Sequence, residues 1–332
     1  MIDSRRFILL LVAFVTMLPA FSQLDVVRVY IEDGVSDPVL KQNMEANATH
    51  LLSSLNSTII LGKSRLKLED EHFTKEGREC VKDMWESSAM MCPVSSITEK
   101  CLSLGEGRGF QIRNIPVEIL SADEDQQEQE LVINFNSAGA IQNVMVALEQ
   151  HRYIDIINAN ISVTDLVRRQ TIVEFVENFR TSYNRKDIEY IENVFSDQAL
   201  IITGSVIKVK ENSDNTMQTL GGNSERIKYT TSSKQEYIKK LKRCFSRNAY
   251  INLKFEELEV VRHPMKDHIY GVTLKQHWNS STYSDVGYLF LMIDFTDPEY
   301  PCIQVRTWQP DKYSDGKKID RDEIFELSDF NI

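Results

Sequence analysis

Leu40, Met44, Ala48, Leu51, Leu52 and Leu55 follow Val39 at spacings of mostly three and four and predict one apolar stripe on a helix within residues 24–60. Residues 74–88 predict a second helix: Thr74 can cap it, Glu76 suits its positive end, and Val81, Met84 and Trp85 form its apolar side. Gly77 stands where a capping box would have Glu or Gln, and it weakens that helix. The period then falls to two. Phe110 to Leu120, Glu130 to Phe135 and Ile141 to Leu148 read as strands, the last two joined by a turn at Asn136-Ser137-Ala138-Gly139. SADEDQQEQE (121–130) reads as a solvated acidic connection, because a calcium loop would need alternating ligands and a Gly that it lacks.

The second half opens on a long helix. Ile172, Phe175, Val176, Phe179 and Tyr183 share one face, with Glu174, Glu177, Asn178 and Arg180 largely opposite. Asp187 can cap a short helix running to Phe195, and Ala199 to Thr203 is a β-rich run. Residues 205–232 are polar and suggest an excursion or ragged hairpin. Ser233 and Glu236 form a capping box for a third helix, with Tyr237, Ile238, Leu241 and Phe245 inward. Strands follow at Ile251–Val261, Ile269–Trp278, Val286–Phe295 and Cys302–Trp308. This order predicts an α+β fold with helices on one face of an antiparallel sheet.

The stretch IVEFVENFRTSYNRKDIEYIENVFSDQALIITG, followed by YGVTLKQHW, DVGYLFLMIDF and CIQVRTWQP, resembles the nuclear transport factor 2-like superfamily, and more narrowly exported Bacteroidetes proteins of undefined function. The resemblance covers about residues 166–312. It implies a cone: a curved antiparallel sheet wrapped around the long helix, with a cavity at the wide end. Some members of the superfamily are isomerases or dehydratases, and others bind, dimerise or scaffold. The expected organisation is a leader at 1–23, an α+β domain at 24–165 that resembles no named module, the cone at 166–312 and a tail at 313–332.

Arg5 and Arg6 precede an apolar run of 12 residues, Phe7 to Leu18, and Ala20-Phe21-Ser22 gives a small-x-small pattern before Gln23. That is the layout of an export signal. As a helix the run spans only about 18 Å against a hydrocarbon core of ~30 Å, too short for an anchor. A periplasmic or extracellular address follows, with no membrane span after cleavage. The chain has 332 residues and a formal charge of −11, near −12 once the leader and its Arg5, Arg6 and Asp3 are removed. An acidic chain of this kind is not expected to bind nucleic acid, which needs a positive field.

Export lets disulfides persist. Cys92 and Cys101 flank eight residues, a spacing suited to a local staple contributing about 2–3 kcal/mol. Cys244 and Cys302 read either as a pair or as buried apolar residues, and five is odd, so one thiol is left over. No cofactor or metal is expected. His263 and His268 lack nearby Cys or carboxylate partners, and Gly105, Gly107 and Gly109 lack the context of a phosphate loop. Lys239, Lys240, Lys242, Arg243 and Arg247 read as a solvated face. Asn47, Asn56, Asn160 and Asn279 begin glycosylation sequons.

Pairing Trp278 with Val286 across Asn279–Asp285 would put Tyr270, Gln276, Trp278, Tyr288 and Asp294 on one face, and His277 on the other, away from Asp294. Those five are the expected binding residues. Each also has a plainer reading: Asp294 as a turn cap, Trp278 and Tyr288 as core or interface aromatics. Arg306 and Trp308 read as a structural pair or dimer contact. The expected function is non-enzymatic binding of a small molecule or protein partner, or scaffolding, and the resemblance allows a homodimer. The alternative is an isomerase- or dehydratase-like enzyme with Asp294 as base and Tyr288 or Tyr270 as hydrogen-bond donor.

Overall fold

The structure, a computed structural model, describes residues 26–105, 107–121, 127–148, 163–209 and 224–330. The leader, Asn160 and residues 122–126 of the acidic connection lie outside the described residues. The chain forms two compact units, Met1–Ala147 and Leu148–Ile332.

In the first unit, β1 (Arg28–Ile31) leads into α1 (Pro38–Ile60), whose Asp37 cap accepts the amides of Val39 and Leu40. Met44, Ala48, Leu51, Leu52 and Leu55 are buried as the stripe requires, whereas Val39 in the first turn is 64% exposed. One edge of β1 pairs in parallel with β3 (Ser96–Glu99). Its other edge faces α1, where Ser53, Thr49 and Glu45 accept the amides of Val27, Val29 and Ile31 at 3.0, 3.0 and 2.8 Å. These acceptors sit four residues apart, on one face of the helix.

The second sheet contains β2 (Met90–Met91), β4 (Cys101–Ser103), β5 (Phe110–Ile119), β6 (Glu128–Phe135) and β7 (Ile141–Val146). Against it lies α2 (Lys75–Ser87), with Val81, Met84 and Trp85 buried. Gly77 now has a positive reason. A Cβ there would lie 2.2 Å from the carbonyl oxygen of Ile141, which also accepts the amide of Thr74 at 2.8 Å. The first turn of α2 rests directly on the start of β7.

The expected Cys92–Cys101 bridge is not formed: neither thiol is in a disulfide, nor are those of Cys80, Cys244 and Cys302. Met90 pairs with Ile119 of β5, and Cys101 pairs with Ile112. Cys92 is two residues beyond Met90, so about 15 Å of strand separates the two cysteines at ~3.3 Å per residue. Bridged Cα atoms lie only about 4.4–6.8 Å apart. The intervening residues are not a loop but β3, which leaves to pair with β1. Three sequon asparagines, Asn47, Asn56 and Asn279, are buried, and Asn56 instead clamps the amide and carbonyl of Cys92 at 2.8 and 2.9 Å.

The second unit begins with α3 (Val163–Asn184) and α4 (Ile188–Val194), followed by β8 (Phe195–Val209), β9 (Ser224–Ser232) and α5 (Lys234–Arg247). Strands β10 (Ile251–Arg262), β11 (Ile269–Ser280), β12 (Tyr283–Asp294) and β13 (Cys302–Pro310) complete a six-stranded sheet ordered β10-β11-β12-β13-β8-β9. All its pairs are antiparallel except β13 with β8. Of the residues expected to form an excursion or ragged hairpin, 205–209 and 224–232 are paired strand, and 210–223 lie outside the described residues.

The apolar face of α3 packs into this sheet, Phe175, Val176, Phe179 and Tyr183 joining Leu253, Phe255, Leu274 and Leu291 in one core. Two of the four polar residues expected largely opposite that face, Glu177 and Arg180, are buried too. Glu177 is 0% exposed and accepts the amide of Leu148 at 2.8 Å. Arg180 Nε donates to the carbonyl of Leu253 at 2.6 Å, and Asn184 Oδ1 accepts the amide of the same residue at 2.8 Å. Leu253 is on β10, the end strand, so two side chains of α3 cover an edge that no strand covers. On the opposite face of the sheet Ile269, Phe290, Met292 and Val305 meet Phe325, Leu327 and Phe330 of the C-terminal segment. That segment forms short 3-10 turns at Arg321–Glu323 and Leu327–Asp329.

Two outcomes test this fold. Gly→Ala inside a helix ordinarily gains about 0.5–1 kcal/mol, but Gly77→Ala should lose about 1–3 kcal/mol by overpacking, measured by urea denaturation. Burial pushes the Cys101 thiol up to about 11 and raises that of Cys92. Thiol reagent should therefore label all five cysteines in denaturant without prior reduction, and these two only slowly in the native protein; a disulfide-linked Cys92–Cys101 peptide would contradict the fold.

Candidate functional site

The hairpin of β11 and β12 turns at Ser281-Thr282, with Ser280 opposite Tyr283. Asn248, which ends α5, receives that turn. Its Oδ1 accepts Thr282 Oγ1 at 2.7 Å and Ser281 Oγ at 3.3 Å. The register is therefore one residue away from the expected one: Trp278 faces Asp285, Gln276 faces Gly287 and Tyr270 faces Ile293. A one-residue slip sends alternate side chains to the other face. Tyr288 and Asp294 part company with Tyr270, Gln276 and Trp278, and His277 shares their face instead.

The five expected residues thus scatter. Tyr270 is buried in the core, edge-on to Phe295 with centroids 5.9 Å apart. Tyr288 lines a separate cleft beside Glu257, Ile319 and Phe325. Asp294 is a turn cap, its Oδ1 accepting the Thr296 amide and hydroxyl at 2.8 and 2.7 Å. His277 lies eight rungs from Asp294 and bonds Glu256 at 2.9 Å. Only Gln276 and Trp278 line the cavity on the helix side of the sheet.

That cavity is about 460 Å³. Its roof is α5, started by the Ser233–Glu236 capping box. The box fixes the rotation of the helix, and Tyr237, Lys240, Leu241 and Cys244, at i, i+3, i+4 and i+7, face inward. One wall carries hydroxyls: Thr203 and Ser205 from β8, Thr230 and Ser232 from β9. The opposing wall is Gln276 and Trp278 of β11 with Arg306 and Trp308 of β13. Gly287 makes room for Trp308, since a Cβ there would lie 2.7 Å from the indole ring. Tyr283 and Asp285 complete the lining.

Arg306 is the principal electrostatic feature. It is 8% exposed, and its guanidinium lies over the Tyr237 ring, 4.9 Å from the centroid. Among the described residues no carboxylate pairs with it, and its Nε has no hydrogen-bond partner. The indole Nε1 of Trp308 is also buried and without a partner. The Tyr237 hydroxyl meets that of Tyr183 on α3 at 2.5 Å. Burial and the neighbouring Tyr237 hold the Tyr183 phenol far above its ordinary range, while Arg306 pulls the other way. Burial likewise raises the Cys244 thiol. Asp285 accepts the Tyr283 hydroxyl and the Val286 amide, yet burial still lifts its carboxyl above the usual carboxylate range.

Arg306, Trp308, Tyr237, Lys240, Tyr283 and Asp285 were not among the expected binding residues. The alternation of Arg306 and Trp308 along β13, and the helical spacing of Tyr237 and Lys240, were legible signals. Assigning them to one cavity required the register and the rotation of α5.

Among the described residues no helix is long and apolar enough to cross a membrane. No protein-family model matches the sequence, and no curated protein does. The chain is similar to solved structures of NTF2-like proteins, as the resemblance implied. An NTF2-like protein of unknown function from Shewanella oneidensis is 11% identical, with a TM-score of 0.29, over 43% of this chain and 98% of that one. A putative scytalone dehydratase from Novosphingobium aromaticivorans is 11% identical, TM-score 0.33, over 48% and 97%. Bd1075 of Bdellovibrio bacteriovorus is 18% identical, TM-score 0.32, over 45% of this chain, which spans 44% of its length.

The raised Asp285 carboxyl has a thermodynamic consequence. Its folded-state pKa lies above the unfolded value, so folding binds the proton more tightly and the ionised carboxylate opposes folding. That opposition is complete above the raised value and vanishes below the ordinary aspartate range. Asp285→Asn should stabilise the chain at neutral pH, with the gain shrinking as pH falls towards 4, in urea denaturation run as a pH series. A constant difference across the series would show that the carboxyl is not shifted.

Proposed function

We propose that the chain is exported and that its C-terminal unit binds, without transforming, a small organic anion with a planar apolar body. The observation that carries this reading is the buried Arg306 at the cavity wall, which no carboxylate among the described residues neutralises. A guanidinium removed from water without a counter-charge is costly, and a carboxylate entering beside it would supply two parallel acceptors. Trp278, Trp308 and the Tyr237 ring offer flat apolar surface, and the partnerless Trp308 Nε1 offers a further donor. The hydroxyl wall would orient polar substituents, and Lys240, at the solvent-exposed rim of the α5 roof, adds positive charge at the edge. A cavity of this size suits a drug-sized molecule.

Several features weigh against turnover. Asp294, the base that an enzyme would have used, is engaged in a turn outside the cavity. Asp285 lines it, but both its oxygens already accept hydrogen bonds, and Cys244 and Tyr183 are held in their neutral forms by burial.

Trp278 and Trp308 are two of the three tryptophans in the chain, so indole emission reports the cavity. Titrating the purified chain with a panel of aryl carboxylates and the matching primary amides should quench emission with the acids only. Arg306→Gln should weaken binding by about 10–100-fold, in line with charged hydrogen bonds of about 1.5–3 kcal/mol, whereas Arg306→Lys should retain part of it. Equal binding of acid and amide, or full binding by a folded Arg306→Gln, would remove the anion from the reading. Release of a new product from any bound member would replace binding with catalysis.

A further inference from the structure

In the first unit, His50 projects from the fourth turn of α1 and His72 from the 3-10 turn Asp70–His72. Their rings stack, centroids 4.0 Å apart and planes 23° apart, with Phe73 edge-on to His50 at 6.2 Å. The hydrogen bonds around them assign both tautomers. Asn47 Nδ2 donates to the carbonyl of Gly139 at 2.7 Å, so its Oδ1 is the atom that faces His72 Nδ1 at 2.7 Å and must accept. His72 Nδ1 therefore carries a proton, and in the neutral ring Nε2 carries the lone pair. His50 Nε2 accepts the backbone amide of Glu69 at 3.3 Å and lies 3.5 Å from Ser54 Oγ, contacts that a metal on this nitrogen would replace.

Carboxylates face the same place. His72 Nε2 lies 3.8 Å from Glu69 and 3.6 Å from Glu71. Ligand atoms of His50, Glu69 and His72 all fall within 4.8 Å of one another. In its neutral form His72 directs its Nε2 lone pair at these carboxylates, and a metal cation between them would turn that repulsion into coordination.

We propose that His50, His72 and Glu69 form a site for a divalent transition metal of the zinc type, with Glu71 as an adjacent carboxylate. The donor set, two imidazole nitrogens and one carboxylate oxygen, suits zinc rather than magnesium or calcium. The partner outside it is already in place: a metal-bound imidazole usually donates its other N–H to a carbonyl or carboxylate, and Asn47 Oδ1 fills that role for His72. Bonds of about 2.0–2.2 Å hold tetrahedral ligand atoms roughly 3.3–3.5 Å apart. The site must therefore contract by about 1 Å, with the stacked rings turning apart. Glu69 is 70% exposed on a turn and can move freely. Metal would fasten the turn after α1 to the helix itself and leave at least one coordination position open.

The test uses the full chain with zinc, and with magnesium and calcium as hard-ion controls, by isothermal titration and melting temperature. One zinc per chain should bind at micromolar affinity or tighter and raise the melting temperature, and the hard ions should do neither. Glu69→Gln, an exposed change that leaves the fold intact, should weaken zinc by roughly 10–100-fold, a range typical of losing a supporting contact. His72→Ala should abolish the site. Cobalt substitution separates this site from the five cysteines: a visible spectrum without a thiolate charge-transfer band is expected. No zinc binding, a thiolate band, or binding unaffected by Glu69→Gln and His72→Ala would each overturn the proposal.

Discussion

A strand edge that no other strand covers must have its amides and carbonyls satisfied, and in both units a helix does this with side chains. In the first, Ser53, Thr49 and Glu45 of α1 take the alternate amides of the β1 segment. In the second, Arg180 and Asn184 of α3 hold both backbone groups of Leu253. The spacing of four residues is what lets a helix do this, because i and i+4 lie one above the other on the same face. The consequence for α3 is burial on nearly every side. Its polar residues are spent on the edge of β10 and on Leu148, and its aromatic residues on the sheet.

Within the cavity the chemistry follows from what is left unsatisfied. The chain is acidic, with 49 Asp and Glu against 38 Lys and Arg, yet among the described residues no carboxylate pairs with Arg306. The ring of Tyr237 shelters the guanidinium without neutralising it. Trp308 can lie flat against the wall because Gly287 has no side chain, and its indole N–H remains without a partner. An arrangement that positions donors so firmly and leaves them unfilled fits recognition of an acceptor-rich guest. The acid–base groups nearby are instead engaged with one another, Tyr183 with Tyr237 and Asp285 with Tyr283 and Val286.

The first unit uses asparagine in a related way. Asn56 clips the backbone of Cys92, and Asn47 links the turn at Gly139 to the ring of His72. Both begin sequons, and both are buried, so their amides serve the fold. Asn47 also ties the candidate metal ligands to the sheet: the carbonyl it holds belongs to the β6–β7 turn, while the ring it orients belongs to the turn before α2.

Local periodicity was enough to place α1, α2, α4, α5 and most strands, because amphipathic spacing and caps such as Thr74, Asp187 and Ser233 act over a few residues. The α+β order and the inward faces of Phe175, Phe179 and Leu241 were legible for the same reason. The binding wall was not. Whether Tyr288 or Leu289 shares a face with Trp278 turns on one residue of register, and Asn248, at the end of a helix thirty-odd positions earlier, fixes it by holding Ser281 and Thr282. The separation of Cys92 from Cys101, the close contact that requires Gly77, and the meeting of His50 with His72 have the same origin. Each depends on elements distant in sequence coming together, and hydrophobic spacing along the chain carries no record of which backbone atoms will meet.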